Sequence, residues 1–264
     1  MNCRPVKTLK KDFLKINIFE TRRDLGIAAA YDLTSIIKLL FKKQEYINIV
    51  FASAPSQQEF LEELCKYDNL EWHRINAFHM DEYLGLPLDA PQRFGNFLKT
   101  RLFDKQPFHL VHYLNENNGI DEECMRYTEL LRKYPIDIAC LGIGENGHIA
   151  FNDPHVADFN DPKLIKVVDL DLTCRQQQVN DGCFASLSEV PTHAYTLTIP
   201  ALTAARYMFC IVPSDTKAQA IYNTLYGEIN EPCPASILRT KENAVLYLDS
   251  DSSMLLNRPS SKSV

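Results

Sequence analysis

Residues Leu141 to Pro154 read LGIGENGHIAFNDP. The stretch closes an apolar run, Ile136 to Ile143, whose Ile- and Ala-rich composition fits a buried strand. Gly142, Gly144 and Gly147 follow, and glycine is used where a chain must turn sharply or where backbone must approach a ligand. His148 comes directly after the third. Open α/β sheets take their ligands in the crevice outside the carboxyl ends of the strands, so this turn sets an imidazole at such a crevice. Asn146 and Asp153 flank the histidine, and either could accept the ring N–H and fix the tautomer for acid–base work. An ordinary turn with a hydrogen-bonded histidine is the plainer reading. The clustering of glycines, histidine and two polar groups in one short loop favours a site.

Outward from this strand, strand-like and helix-like patterns alternate. Apolar residues recur at helical spacing from Thr21 to Phe41, with lysines crowding the end. Tyr46 to Ala52 reads as a strand, broken by Ser53-Ala54-Pro55-Ser56, and Pro55 or Ser56 opens a helix through Lys66. Further strands are expected over Arg74 to Met80, Leu110 to Leu114, Leu164 to Leu170, Tyr195 to Ile199, Tyr207 to Pro213 and Ala244 to Leu248. Helices are expected over Phe94 to Phe103, Gly119 to Tyr134, Thr173 to Val179, and from a cap at Ser214 or Asp215 to Tyr226. Such alternation predicts an α/β fold, a mainly parallel sheet with helices on both faces. With no repeat, long linker or composition break, one domain over residues 1–264 is expected. Residues 1–17, basic and irregular, predict an arm or an edge element, and the Ser-rich stretch 250–264 a loose tail.

Composition narrows the function. The chain has 264 residues, 45% hydrophobic and 23% charged, which is ordinary for a soluble globular protein. A net charge of −6 leaves no basic footprint for nucleic acid, so an anionic substrate would need locally concentrated positive charge. The eight cysteines are scattered without a CxxC pair, and no signal-peptide pattern or membrane-length apolar run is present. Free thiols in a reducing, cytoplasmic setting are expected.

A second candidate is Asp81, at the end of the Arg74 to Met80 strand and next to Glu82. Adjacent residues on a strand face opposite ways, so one acid can reach into a crevice while the other turns away. A solvated acidic turn and a general base are both compatible with that placement.

LGIGENGHIAFNDP resembles the signature of the glucosamine-6-phosphate deaminase (isomerase) family, Gly-x-Gly-x-Asp/Asn-Gly-His-Ile-Ala/Gly-Phe-Asn-Glu-Pro, with Asp153 in place of the family's Glu. Phe78 to Pro87, FHMDEYLGLP, is similar to a second family string, Phe-Asn-Met-Asp-Glu-Tyr-x-Gly-Leu-Pro. The resemblance spans Ile18 to Leu248. It implies a modified Rossmann-like α/β sandwich and conversion of a 2-amino-2-deoxyhexose 6-phosphate to a ketose phosphate and ammonia, without metal or organic cofactor. No spacing of the HExxH kind is present. By the resemblance His148 opens the sugar ring, Asp81 moves a proton between C2 and C1, and Asn146 and Asp153 support the histidine. Asp153 is one methylene short of Glu, a loss of reach of about 1.5 Å, so either the loop sits closer or a water bridges.

For the phosphate, the family uses Thr-Gly-Gly/Ser-Thr-Pro at a strand-to-helix turn, where anions are favoured. Here Ser53 and Ser56 keep hydroxyls, while Ala54 and Pro55 replace glycine, and Pro55 has no N–H. Gly142 and Lys217 match substrate-binding positions, and Arg175 matches the first of two family arginines. The second, a phosphate ligand, has no counterpart in Gln176 to Phe184, and Leu164 stands where the family carries an allosteric arginine. The expected partner is thus a small hexosamine phosphate, gluco or galacto, with no nucleic acid or membrane, and a homo-oligomer is possible because the family contains monomers and hexamers. A 6-phosphogluconolactonase-like hydrolase and a non-catalytic sugar-phosphate sensor are the alternative readings.

Overall fold

The computed structural model describes residues 3–117 and 119–257. Eight strands form the main sheet: β1 (Lys7–Lys11), β2 (Leu14–Ile18), β3 (Ile47–Phe51), β4 (Ile75–His79), β6 (Leu110–His112), β7 (Ile138–Leu141), β10 (Tyr207–Val212) and β11 (Ala244–Leu248), in the order β1-β2-β11-β10-β7-β3-β4-β6. All pairings are parallel except β1 with β2. The chain runs outward from β3 through β4 to β6, returns to β7 beside β3, and runs the other way to β10 and β11. The strand order therefore reverses between β3 and β7, and a crevice opens beyond their carboxyl ends.

Alternation along the strands divides the core. In β7, Ala139 and Leu141 face one layer and Ile138 and Cys140 the other; β11 sends Leu246 and Leu248 one way and Tyr247 the other. One layer is closed by α1 (Arg22–Phe41) and α2 (Gln58–Leu64), with Leu25, Ala29, Leu33 and Ile37 at helical spacing against the sheet. Thr21 caps α1, its hydroxyl accepting from Asp24 N at 3.1 Å. The opposite layer is closed by α4 (Ile120–Lys133) through Tyr127 and Leu131, α6 (Ile199–Thr203) through Leu202, and α7 (Ala218–Tyr226) through Ile221 and Leu225.

The structure departs from the sequence reading in several places. Asp81–Tyr83 is a strand of its own, β5, in a second sheet with β8 (Ile165–Asp169) and β9 (His193–Leu197), in the order β5-β9-β8 and antiparallel throughout. Residues 3–17 do not make a free arm: β1 is the expected edge element, while β2 lies inside the sheet beside β11. The strand expected to reach Ile199 stops at Leu197, because Thr198 caps α6 and Pro200 sits in its first turn, where a missing N–H costs nothing. Helix Phe94 to Phe103 is α-helical only over α3 (Phe94–Leu98) and widens to a π-turn over Lys99–Phe103. The expected loose tail is tied down as far as Asn257: Ser252 and Ser253 are buried, and Asp249 Oδ1 accepts from Ser252 N at 2.8 Å. Residues 258–264 lie outside the described residues.

Ser214, where β10 enters the crevice, has φ 89 and ψ 142, a region open to glycine and costly for any residue with a Cβ. Its N–H is held by both Asp249 carboxylate oxygens at 3.2 and 3.1 Å. Ser214→Gly should raise folding stability by about 1 kcal/mol, strain relief exceeding the added chain entropy. Unchanged or lowered stability in urea denaturation would contradict strain at this turn.

Candidate active site

Four adjacent strand ends build one cleft. Ser53, Ala54, Pro55 and Ser56 follow β3; Asp81 follows β4; Gly142, Gly144 and His148 follow β7; Ser214, Thr216 and Lys217 follow β10. Asp81, His148, Ser53, Ser56, Gly142 and Lys217 are thus brought together as the sequence reading expected. Asn146 and Asp153 stand behind His148.

Asp81 and Glu82 face opposite ways. Asp81 lines the cleft, is buried, and its Oδ1 has no protein partner. Burial, then the charge of Glu82, holds its carboxyl well above the usual carboxylate range. Glu82 points into the protein and accepts from the N–H groups of Tyr83, Phe94 and Gly95, each at 3.0 Å. Burial pushes its carboxyl up to about 7, although Arg93 and those amides pull it down. His79 fixes the backbone of Asp81. Leu114 N donates to its Nε2 at 2.9 Å, so the ring proton sits on Nδ1, 2.9 Å from the Asp81 carbonyl. Burial lowers this imidazole to about 4 and keeps it neutral.

The histidine loop is held by side chains one layer deeper. His148 Nδ1 lies 3.0 Å from Asp153 Oδ1, so the loop sits close enough to make up for the shorter acid. The approach is off the N–H direction, so the two groups are in close polar contact without a directed hydrogen bond. Asp153 is fully buried, accepts from Asn146 Nδ2 at 2.9 Å and from Asp171 N at 3.4 Å, and neighbours Cys174. Burial raises its carboxyl, but His148, Asn146 and the Asp171 amide outweigh this and leave it below the usual range. Asn146 does not meet the imidazole ring; it accepts from His148 N at 3.1 Å and bridges Asp153 to Asp171, whose Oδ2 is 3.1 Å away. The His148 ring nitrogens, the Asp153 carboxylate and Cys174 Sγ include donor atoms within 4.8 Å of one another, a set able to hold a metal.

The far end of the cleft differs from the expectation in one respect. Arg175 is not there. On α5 (Leu172–Asn180) the residues Gln177 and Gln178 face the cleft, as does Asp181 at its end, whereas Arg175 lies elsewhere round the helix and donates to Leu187 O at 2.7 Å and Val190 O at 2.9 Å. It is an anchor for the following loop. Two basic residues line the cleft among the described residues, Lys217 and Arg22. Lys217 is buried with no hydrogen-bond partner on Nζ, and its closest ion-pair contact is Glu145 at 3.8 Å. Burial lowers its pKa, and Asp181 and Glu145 oppose that. Arg22, which the sequence reading missed, pairs with Glu59 at 2.6 Å and donates to Pro55 O at 3.2 Å, beside the Ser53 to Ser56 turn. Ser53 Oγ is buried without a partner, and Gln57 Nε2 donates to Ser56 Oγ at 3.2 Å. His79, Asp171, Gln177 and Gln178 were also missed. His79 alone had a local signal, its place two residues before Asp81 in FHMDEY.

The profile of the family described as "Glucosamine-6-phosphate isomerases/6-phosphogluconolactonase" matches residues 20–247. Glucosamine-6-phosphate deaminase of Bacillus cereus (strain B4264) is 32% identical over 239 residues, 90% of this chain and 87% of the relative; that of Bacillus thuringiensis (strain Al Hakam) is equally similar, at 32% over 239 residues with the same coverage. Among solved structures, a monomeric glucosamine-6-phosphate deaminase superposes with a TM-score of 0.83 at 27% identity, covering 91% of this chain and 99% of its own. The 6-phosphogluconolactonase of Thermotoga maritima gives 0.73 at 23% identity, covering 89% and 99%, a likeness of fold.

Gly144 passes beneath the imidazole. A Cβ built there would fall 2.1–2.5 Å from His148 ring atoms, and the ring would have to move. Gly144→Ala should cut turnover about 100-fold or more, since a shift of an ångström in a catalytic group costs that much, while the melting temperature changes little. Near-normal turnover would show that the position of His148 is unimportant.

Proposed function

The chain belongs to the glucosamine-6-phosphate isomerase/6-phosphogluconolactonase family, and from that premise we propose that it is a deaminase and aldose–ketose isomerase converting glucosamine 6-phosphate to fructose 6-phosphate and ammonia. The observation that carries this reading is Asp81: a buried carboxylate with raised proton affinity, facing the same cleft as His148, with a buried lysine free of hydrogen bonds at the far end.

In the proposed reaction the sugar binds as a closed ring. His148 protonates the ring oxygen and takes the O1 proton, and Asp153 steadies the charge that forms on the imidazole. In the open form the aldehyde acidifies the C2–H bond, and Asp81 removes that proton. Electrons move through C2–C1 to give an enolamine. Asp81 returns the proton to C1, and water then displaces ammonia from C2. Each acid–base step is worth about 10²–10⁴ in rate. Hydrolysis of a lactone moves no proton from carbon and gives Asp81 no work, and a sensor would need neither Asp81 nor His148. Those readings are the less supported. Lys217 is proposed to hold the phosphate with Ser53, Ser56 and Arg22, because charge-assisted bonds are the strong ones and the turn after β3 offers few amides.

The raised Asp81 carboxyl sets a pH dependence. The base works ionised, so kcat/KM should rise with pH through an acid limb well above the usual carboxylate range. Glu82→Gln, which removes the neighbouring charge, should move that limb to lower pH. A limb near pH 4 in the wild-type protein, or one unmoved by Glu82→Gln, would count against Asp81 as the base. For the other end, Lys217→Ala should raise KM for glucosamine 6-phosphate at least about tenfold, or 1.4 kcal/mol. An unchanged KM, or equal turnover of free glucosamine, would mean that the cleft does not read phosphate.

A further inference from the structure

The cluster behind the histidine has a property the proposed reaction does not use. Cys174 occupies the first turn of α5, fixed there by Cys174 N donating to Asp171 Oδ1 at 2.6 Å, and it is 1% exposed. Its sulfur, a ring nitrogen of His148 and an oxygen of Asp153 lie within 4.8 Å of one another, and all three residues are buried. A thiolate, an imidazole and a carboxylate are the donors of zinc sites, with bond lengths of about 2.0–2.3 Å. Two further observations point to a ligand. His148 Nδ1 is buried without a hydrogen-bond partner although a carboxylate oxygen stands 3.0 Å away, so the pair is close but not bonded through hydrogen. The carboxylate is already oriented from behind by Asn146 Nδ2 at 2.9 Å and by the Asp171 amide at 3.4 Å, the kind of outer support that ligating carboxylates carry.

We propose that His148, Asp153 and Cys174 form an inhibitory site for a divalent zinc-like ion. The ion bonds to sulfur, to Nδ1 and to one carboxylate oxygen, with water as the fourth ligand. The thiol proton leaves to solvent, and the imidazole carries its single proton on Nε2. Entry is through the cleft past His148, the member of the three that lines it. Once bound, the ion takes the ring nitrogen that faces Asp153 and pins the imidazole, so ring opening stops. The loss of activity rests on the deaminase reading, whereas the binding of metal does not.

Chelator-treated protein is titrated with Co²⁺ alone and followed by absorption, then with Zn²⁺. A near-ultraviolet sulfur-to-cobalt charge-transfer band is expected in the wild-type protein, displaced by Zn²⁺, absent in Cys174→Ser and intact in Cys183→Ser and Cys233→Ser. Zn²⁺ should suppress ammonia release, EDTA should restore it, and Cys174→Ser should weaken the inhibition about tenfold or more, as even outer-shell losses do. Zinc X-ray absorption on the wild-type protein supplies a test free of any variant, with one sulfur scatterer expected. No cobalt band, a band that survives in Cys174→Ser, or a zinc shell without sulfur would each overturn the proposal. A sulfur-free shell would instead fit Asp153, His155 and Asp171, a neighbouring group of oxygen and nitrogen donors.

Discussion

One residue ties the candidate base to the candidate acid. Thr196, in the central strand of the small sheet, pairs through its backbone with Asp81, and its hydroxyl accepts from Phe151 N at 3.1 Å and Asn152 Nδ2 at 3.3 Å. Asn152 in turn donates to Leu197 O at 2.8 Å and to Ile149 O at 2.9 Å. The strand bearing the carboxylate and the loop bearing the histidine therefore hang from the same point, although they come from different strands of the main sheet. Three donated bonds from one buried amide leave this junction few alternative arrangements, although Asn152 Oδ1 itself has no partner. Tyr83, Phe94, Phe151 and Phe184 pack as an aromatic cluster beside it and shield these bonds from water.

The two ends of the cleft are built on different principles. At the reacting end, carboxylates are tuned in opposite directions by their surroundings: Asp81 up by burial and its acidic neighbour, Asp153 down through His148, Asn146 and an amide despite burial. Environments that push titratable groups apart divide the proton-taking and charge-stabilising roles. At the other end, a single buried ammonium stands near Glu145 and Asp181, with Pro55 in place of an amide donor. An anion arriving there meets a cation partly compensated by acids, so the exposed Arg22 beside Pro55 is the natural supplement.

The centre of the main sheet was legible because β3, β4, β7, β10 and β11 are mainly apolar, largely buried runs, and all five fall within the expected stretches. The glycine loop was legible for a related reason: Gly147 has φ 86, and Gly144 leaves no room for a Cβ under the imidazole. The division into two sheets was not: β8 and β9 overlap expected strands, but Asp81–Tyr83 is three residues long and becomes a strand only by pairing with His193–Leu197, more than a hundred positions away. Arg175 misled because matching a family position says nothing about which way a helix is turned. Arg22 had no signal, since its nearness to Pro55 comes from α1 packing on α2. The N-terminal hairpin hid its apolar alternation among lysines.

The proposed reaction turns on Asp81 taking a proton from carbon. Glucosamine 6-phosphate carrying deuterium at C2 tests it, with the label followed by NMR in the wild-type protein and in Asp81→Asn. The wild-type protein is expected to strip deuterium from C2, delivering it to C1 of the ketose or to water, while Asp81→Asn binds the sugar and leaves the label at C2. Loss of the C2 label at a wild-type rate in Asp81→Asn would contradict it.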